Sequence, residues 1–238
     1  MGKKKKKFQM TAERRNEIEM KLKSIEKCGD RFFVDAQEIR TRTKKIMKPQ
    51  NSSTEAGYYK WWATEDTVKL ILHCLGQNDS AFQSEVQFKN MKKENLFEQD
   101  KTGSYYCIYI GISDNLSSRI NNHVSGAIGS SGFRRHLGRL IWNINPNQSK
   151  EGIILAINNL IGLLKIEYTY VQSDRKELED IETILINTKL HILNDDKNDY
   201  KDLCNEAKLI DQKLEYLQKN CPDWLKKSKK KSSIPHIP

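Results

Sequence analysis

The apolar positions of the chain follow two rhythms. Tyr105 to Ile112 is a nearly unbroken run of aromatic and β-branched residues, the composition of a half-buried strand. Gly111 near its end admits close approach by another backbone or a ligand. Leu116, Ile120 and Val124 then recur at every fourth position, as on one face of a helix, and Ser113 and Asp114 offer capping oxygens at its start. The same rhythms predict strands at Gly57–Ala63, rich in Tyr58, Tyr59, Trp61 and Trp62, and at Leu164–Val171. In the latter, Ile166, Tyr168 and Tyr170 alternate with Lys165, Glu167 and Thr169, which predicts one wet face. Helices are expected over Thr11–Cys28, Glu65–Gly76, Phe133–Trp142, Glu151–Ile161 and Lys197–Lys219. Another starts at Ser173 or Asp174 and turns Leu178, Ile181, Leu185 and Thr188 inward. Arg31–Lys48 is basic and expected to add some helix, and Ser84–Phe88 with the residues before Gly103 a strand or a long loop.

These elements predict an α+β fold: a small antiparallel three-stranded sheet flanked by helices, with helical additions at both ends. The loop at Pro49–Thr54 marks a boundary. The expected division is a basic N-terminal arm and helical region at 1–54, a core at 55–196 with an insertion at 64–104, and a C-terminal helix with a basic tail at 197–238.

Charge narrows the class of partner. The 238 residues carry a formal net charge of +10, which points to a polyanion, because lysines and arginines on phosphates release condensed counterions. The five cysteines (28, 74, 107, 204, 221) are scattered and form no CxxC pair, as expected of reduced thiols in a cytoplasmic protein. The most apolar stretch, Gly152–Leu164, is short and interrupted by Asn158 and Asn159, so no membrane span is expected.

On the helix after Ile112, Arg119 and His123 also recur at a spacing of four and form a polar stripe beside the strand that presents Tyr109. Tyr109-Ile110-Gly111, Arg119 and His123, with Gly57-Tyr58-Tyr59 upstream and Glu182 and Asn194 downstream, resemble in order and spacing the signature of the GIY-YIG nuclease family. The chain departs from compact members in joining its two name motifs by a long insertion rather than a short turn, a change that costs little closure entropy. It is most similar in this to the restriction-endonuclease-type members.

The resemblance implies a metal-dependent DNA endonuclease. Glu182 would bind Mg²⁺ (or Mn²⁺), Arg119 would contact the scissile phosphate, Tyr59 would serve as base toward water and Tyr109 would orient water or phosphate. His123 would take a proton from Tyr59 or contact phosphate, and Asn194 would brace the site. Lys60, with Arg119 and His123, is a candidate for lowering the pKa of Tyr59, and Lys60, Arg134, Arg135 and Arg139 are candidates for contacting DNA. Double-stranded DNA is the expected partner, and cutting both strands implies a homodimer. Two alternatives stay open at this point: a structure-specific nuclease of repair or mobile-element processing, and a non-catalytic basic nucleic-acid-binding module whose tyrosines merely pack.

Overall fold

The computed structural model describes residues 10–28, 31–48, 54–76, 83–194 and 205–226. The Lys3–Lys7 run, nearly all of the Pro49–Thr54 loop, the expected start of the last helix at Lys197 and the basic tail lie outside them. The elements in chain order are α1 (Ala12–Cys28), β1 (Arg31–Asp35), α2 (Ala36–Arg40), β2 (Gly57–Thr64), α3 (Glu65–Gly76), α4 (Ser84–Lys93), β3 (Tyr105–Ser113), α5 (Leu116–Ser125), α6 (Gly132–Ile144), α7 (Lys150–Gly162), β4 (Lys165–Tyr170), α8 (Arg175–Ile186) and α9 (Asn205–Asn220).

The architecture is α+β, but the sheet has four strands rather than three, all antiparallel, in the order β1-β4-β2-β3. The additional strand, β1, comes from the segment expected to be helical. Its Phe32 and Phe33 pair with Tyr168 and Glu167 of β4, and the Phe32 ring stacks on Tyr168 at 5.1 Å. That pairing makes β4 an interior strand. The face expected to be wet is the one on which α1 and α8 pack, and Glu167 and Thr169 are buried there.

Helices cover both faces. Tyr59, Trp61, Ala63, Tyr106, Ile108, Ile166 and Tyr168 project into the larger core with residues of α3, α5, α6 and α7. Tyr58, Trp62, Cys107, Ile110 and Ile112 project the other way, against Ile18 and Leu22 of α1 and Leu178, Ile181 and Leu185 of α8. Residues 84–93 form a helix where a strand or loop was expected. Phe88 and Met91 are its buried positions, and their spacing of three puts both on one helix face.

The outer edge of β3 would expose unpaired amides, and two irregular segments cover it. Glu98 O accepts from Cys107 N (2.9 Å), and Ile108 O accepts from Leu193 N (2.9 Å). Beyond these, the Asn194 side chain stands in for a neighbouring strand. Its Oδ1 accepts from Ile110 N and its Nδ2 donates to Ile110 O, both at 2.9 Å. A carboxamide carries the donor and the acceptor on neighbouring atoms, as a peptide group of a paired strand would.

On the α1/α8 face, Lys60 is buried and its Nζ lies 2.5 Å from Glu98 Oε1. His191 Nε2 lies 3.2 Å from Glu98 Oε2, and Glu167 faces Lys60 across the β2–β4 ladder. Burial alone would raise the Glu98 carboxyl, but the His191 bond and the Lys60 charge outweigh it and pull it down to about 2. Burial likewise opposes the Lys60 charge, yet Glu98, Cys107 and Glu167 hold its pKa above the ordinary lysine value.

Removing one member of such a cluster strands the others. Lys60→Met is expected to cost about 3–5 kcal/mol in urea denaturation, and Lys60→Met with Glu98→Gln to recover a large part of it. A single-variant loss below about 1 kcal/mol would show that solvent already compensates Glu98.

Candidate functional site

Alternation along β2 places Tyr59 and Trp61 on the larger-core face. β3 meets β2 with a register shift between Trp61 and Trp62, so Trp61 opposes Tyr109 while Trp62 opposes Cys107. The extra residue, Ile108, is a bulge. It turns Tyr109 to the side of Tyr59 while Cys107 stays on the other, the re-aiming that bulges produce beside functional sites. Tyr59 opposes Gly111 directly. A Cβ at Gly111 would overlap the Tyr59 hydroxyl oxygen and stand 2.6 Å from its Cζ. The close approach expected at this glycine is thus made by the Tyr59 phenol.

α5 brings its polar stripe over the same spot. Its N-cap is Asn115, one residue beyond the expected Ser113 or Asp114, with Oδ1 accepting from Ser118 N. Arg119 Nε donates to the Tyr59 oxygen at 3.3 Å, and His123 Nε2 lies 2.8 Å from it. His123 Nδ1 lies 2.6 Å from Ser131 Oγ, at the N-cap of α6. Trp61 and Phe133 stack at 4.3 Å and meet the His123 ring edge-on, which walls the imidazole off from water. The rings of Tyr59 and Tyr109 are 6.4 Å apart, and Tyr109 is half-buried.

The electrostatics are set by burial and by two arginines. His123 is fully buried. Burial first, then the charges of Arg119 and Arg134, push its pKa well below the ordinary imidazole value, so the ring is neutral. Burial raises the Tyr59 phenol; Arg119 and a bond with Tyr109 work against it, and Glu182 adds to it. Burial disfavours the Arg119 cation, but Tyr59, Tyr109 and Glu182 more than offset this.

Glu182 reaches the cluster from a different layer. α8 packs its apolar stripe on the opposite face of the sheet. Arg175, two turns before Glu182 and on the same helix stripe, binds Asp114 at the β3–α5 corner (3.2 Å). Along that stripe the half-buried Glu182 carboxylate comes within electrostatic reach of both Tyr59 and Arg119.

Of the four other cations expected at the site, three are buried rather than exposed. Lys60, adjacent to Tyr59 on a strand, necessarily points to the opposite face, where Glu98 holds it; it neither acts on Tyr59 nor faces solvent. Arg134 is buried, with Nη1 donating to His123 O and Val124 O and Nη2 to Asn158 Oδ1. It serves the orphan carbonyls at the end of α5. Arg139 is also buried, with Nε donating to Leu225 O. Arg135 is half-buried and donates to Gly129 O at 2.6 Å. Sequence reasoning passed over Ser131, although a serine directly before an amphipathic helix is the signal of an N-cap.

Among the described residues, metal-ligating groups stand at the Tyr59 cluster and on the opposite face of the sheet. At the Tyr59 cluster the donor is the Glu182 carboxylate, a single hard oxygen group. That fits an ion such as Mg²⁺, which keeps several waters and completes its shell with substrate phosphate. On the opposite face, ligand atoms of Glu98, Cys107 and His191 lie within 4.8 Å of one another. There the Lys60 ammonium is already bonded to Glu98, so an entering dication would meet a fixed positive charge, and the sheet separates it from the phenols.

Residues 57–219 match the family model described as the GIY-YIG catalytic domain. No curated protein and no solved structure matches the chain.

Two outcomes follow from the geometry. Gly111→Ala is expected to fold but to displace the Tyr59 ring. Tyr59 fluorescence or NMR shifts in that variant should differ from the parent's, and an undisturbed Tyr59 environment would contradict the contact. The second concerns pH. His123 and His191 both have folded pKa values below that of an unfolded histidine, chiefly because of burial. The unfolded chain therefore binds protons first, and stability falls as pH drops below about 6.5, by up to about 1.4 kcal/mol per unit per histidine. Urea midpoints between pH 7.5 and 5 measure this, and a flat profile would mean that the imidazoles titrate normally.

Proposed function

The chain belongs to the GIY-YIG nuclease family, and on that footing we propose that it is an endonuclease that hydrolyses phosphodiesters of double-stranded DNA at a specific sequence, in the manner of the restriction-type members. The observation that carries the reading is the meeting of Tyr59, Arg119 and His123 at one phenol oxygen, with Tyr109 alongside and Glu182 in electrostatic range.

Hydrolysis requires a base for water, compensation for charge growing on the phosphoryl oxygens, and support for the leaving alkoxide. Tyr59, once its own phenol proton has passed to solvent, takes the proton of the attacking water at its phenolate oxygen. Arg119 spends Nε on Tyr59, which leaves its Nη groups to hold the scissile phosphate. Tyr109, at the open side, orients water against that phosphate. Glu182 would hold a divalent ion, Mg²⁺ or Mn²⁺, which when bound supplies Lewis-acid stabilisation to the phosphate and the leaving oxygen. Asn194 makes no chemical step; it keeps Ile110, and so the Tyr109–Gly111 turn of the strand, in register. Because one such site cuts one strand, double-strand cleavage would be the work of a two-fold dimer. The excess of basic residues, +10 in net charge, supports a nucleic-acid substrate.

Plasmid digestion tests the reading. With Mg²⁺ the protein should give discrete fragments. Tyr59→Phe and Glu182→Ala should reduce the rate roughly 10²–10⁴-fold without loss of folding, and chelation of the metal should stop the reaction. Cleavage confined to flaps, nicks or branches would replace sequence specificity with structure specificity. Salt-sensitive DNA binding without any cutting would leave a binding module.

A further inference from the structure

One group behind His123 has no part in the chemistry so far. Ser131 is fully buried. Its Oγ accepts the backbone N–H of Arg134 at 3.1 Å and lies 2.6 Å from His123 Nδ1. A serine hydroxyl has one proton and two lone pairs. The Arg134 amide occupies one lone pair. The proton needs an acceptor, because a buried donor left unbonded is costly. Among the described residues, His123 Nδ1 is the acceptor the hydroxyl meets.

We infer that Ser131 is a positioning residue: it donates its hydroxyl proton to His123 Nδ1 and thereby fixes the imidazole as the Nε2–H tautomer, with that N–H aimed at the Tyr59 oxygen. The inference rests on Tyr59 being the base, as proposed above. In the opposite tautomer Nδ1–H would point at Ser131, the serine proton would have no acceptor, and Nε2 would take a hydrogen bond from the phenol. With Ser131 as donor, the Tyr59 oxygen instead receives two hydrogen bonds, from Arg119 Nε at 3.3 Å and from His123 Nε2 at 2.8 Å. Both favour the phenolate. The proton of the neutral phenol is turned away from His123, toward Tyr109 and the open side. His123 is then a donor that stabilises the base and does not itself receive its proton.

The groups facing this pair from each packed element are Arg119 on α5, Tyr109 on β3 and Glu182 on α8 around Tyr59, and Arg134 on α6 beside His123. Ser131 also caps the Arg134 N–H, so a change in pH response reports the tautomer when a variant that keeps a tolerated N-cap for α6 but lacks the hydroxyl shows it too.

Two measurements on the full chain decide the matter. The first is the histidine ¹⁵N NMR spectrum, which distinguishes a protonated from an unprotonated ring nitrogen. His123 is expected to carry its proton on Nε2; a proton on Nδ1 overturns the inference. This readout needs no cleavage, so it stands even if the protein proves not to be a nuclease. The second is kinetic. Ser131→Ala should lower kcat about 10- to 100-fold, as loss of a group orienting a functional histidine does, with KM nearly unchanged and the rise of kcat with pH displaced to higher pH. Ser131→Thr keeps the hydroxyl and should restore both. Ser131→Gly removes the hydroxyl without adding charge and is well tolerated at an N-cap, so it should fold and remain as slow as Ser131→Ala. Full activity in Ser131→Gly, or an unmoved pH profile in Ser131→Ala, would assign Ser131 to capping alone.

Discussion

The bulged pairing of β2 with β3 is the constraint on which the rest of the molecule depends. Two adjacent strands rich in aromatics would pack whatever their register. With one extra residue opposite the Trp61–Trp62 junction, Tyr109 shares the face of Tyr59 while Cys107 shares that of Trp62. The glycine opposite Tyr59 then becomes the floor on which its phenol rests. α5 has merely to follow the strand for Arg119 and His123, one turn apart, to close over that phenol. The site is thus an outcome of backbone register before it is one of side-chain chemistry.

Polarity is divided between the two faces of the sheet. On one, a neutral imidazole, two phenols and Arg119 meet behind a wall of Trp61 and Phe133. On the other, Lys60, Glu98, Glu167 and His191 form an interior cluster whose charges answer one another. A fixed carboxylate beside Tyr59 would oppose formation of its phenolate, as Glu182 already does from a distance. Keeping the acidic cluster on the far side of the strands spares the phenol that repulsion.

Much of this was legible in the chain because it obeys short periods. The strands at Gly57, Tyr105 and Lys165 and the spacing of four between Arg119 and His123 follow from local pattern. What was not legible depends on partners distant in sequence. β1 is five residues long, and the strand formers of RFFVD are too few to declare a strand until β4 is there to pair with them. The face of β4 that alternation marked as wet is buried because α1 and α8, far away in sequence, pack on that side of the sheet. The bulge leaves no mark in composition. Arg134 and Arg139 looked like a basic face, yet each is drawn inward by carbonyl groups that a helix end or a chain turn leaves unserved. The placement of Lys60 could have been read, since neighbours on a strand point apart.

The two halves of the candidate site have separate mountings. The phenols, the guanidinium and the imidazole ride on β2, β3 and α5. The carboxylate rides on α8, whose buried Asp180 is gripped by Arg14 of α1 at 2.9 Å. Through that pair α1, which contributes no side chain to the phenol cluster, bears on where α8 holds its carboxylate, and the Arg175–Asp114 pair ties the same helix to the β3–α5 corner. Substitutions at Arg14 thus reach the Glu182 half of the site first, through the seating of its helix.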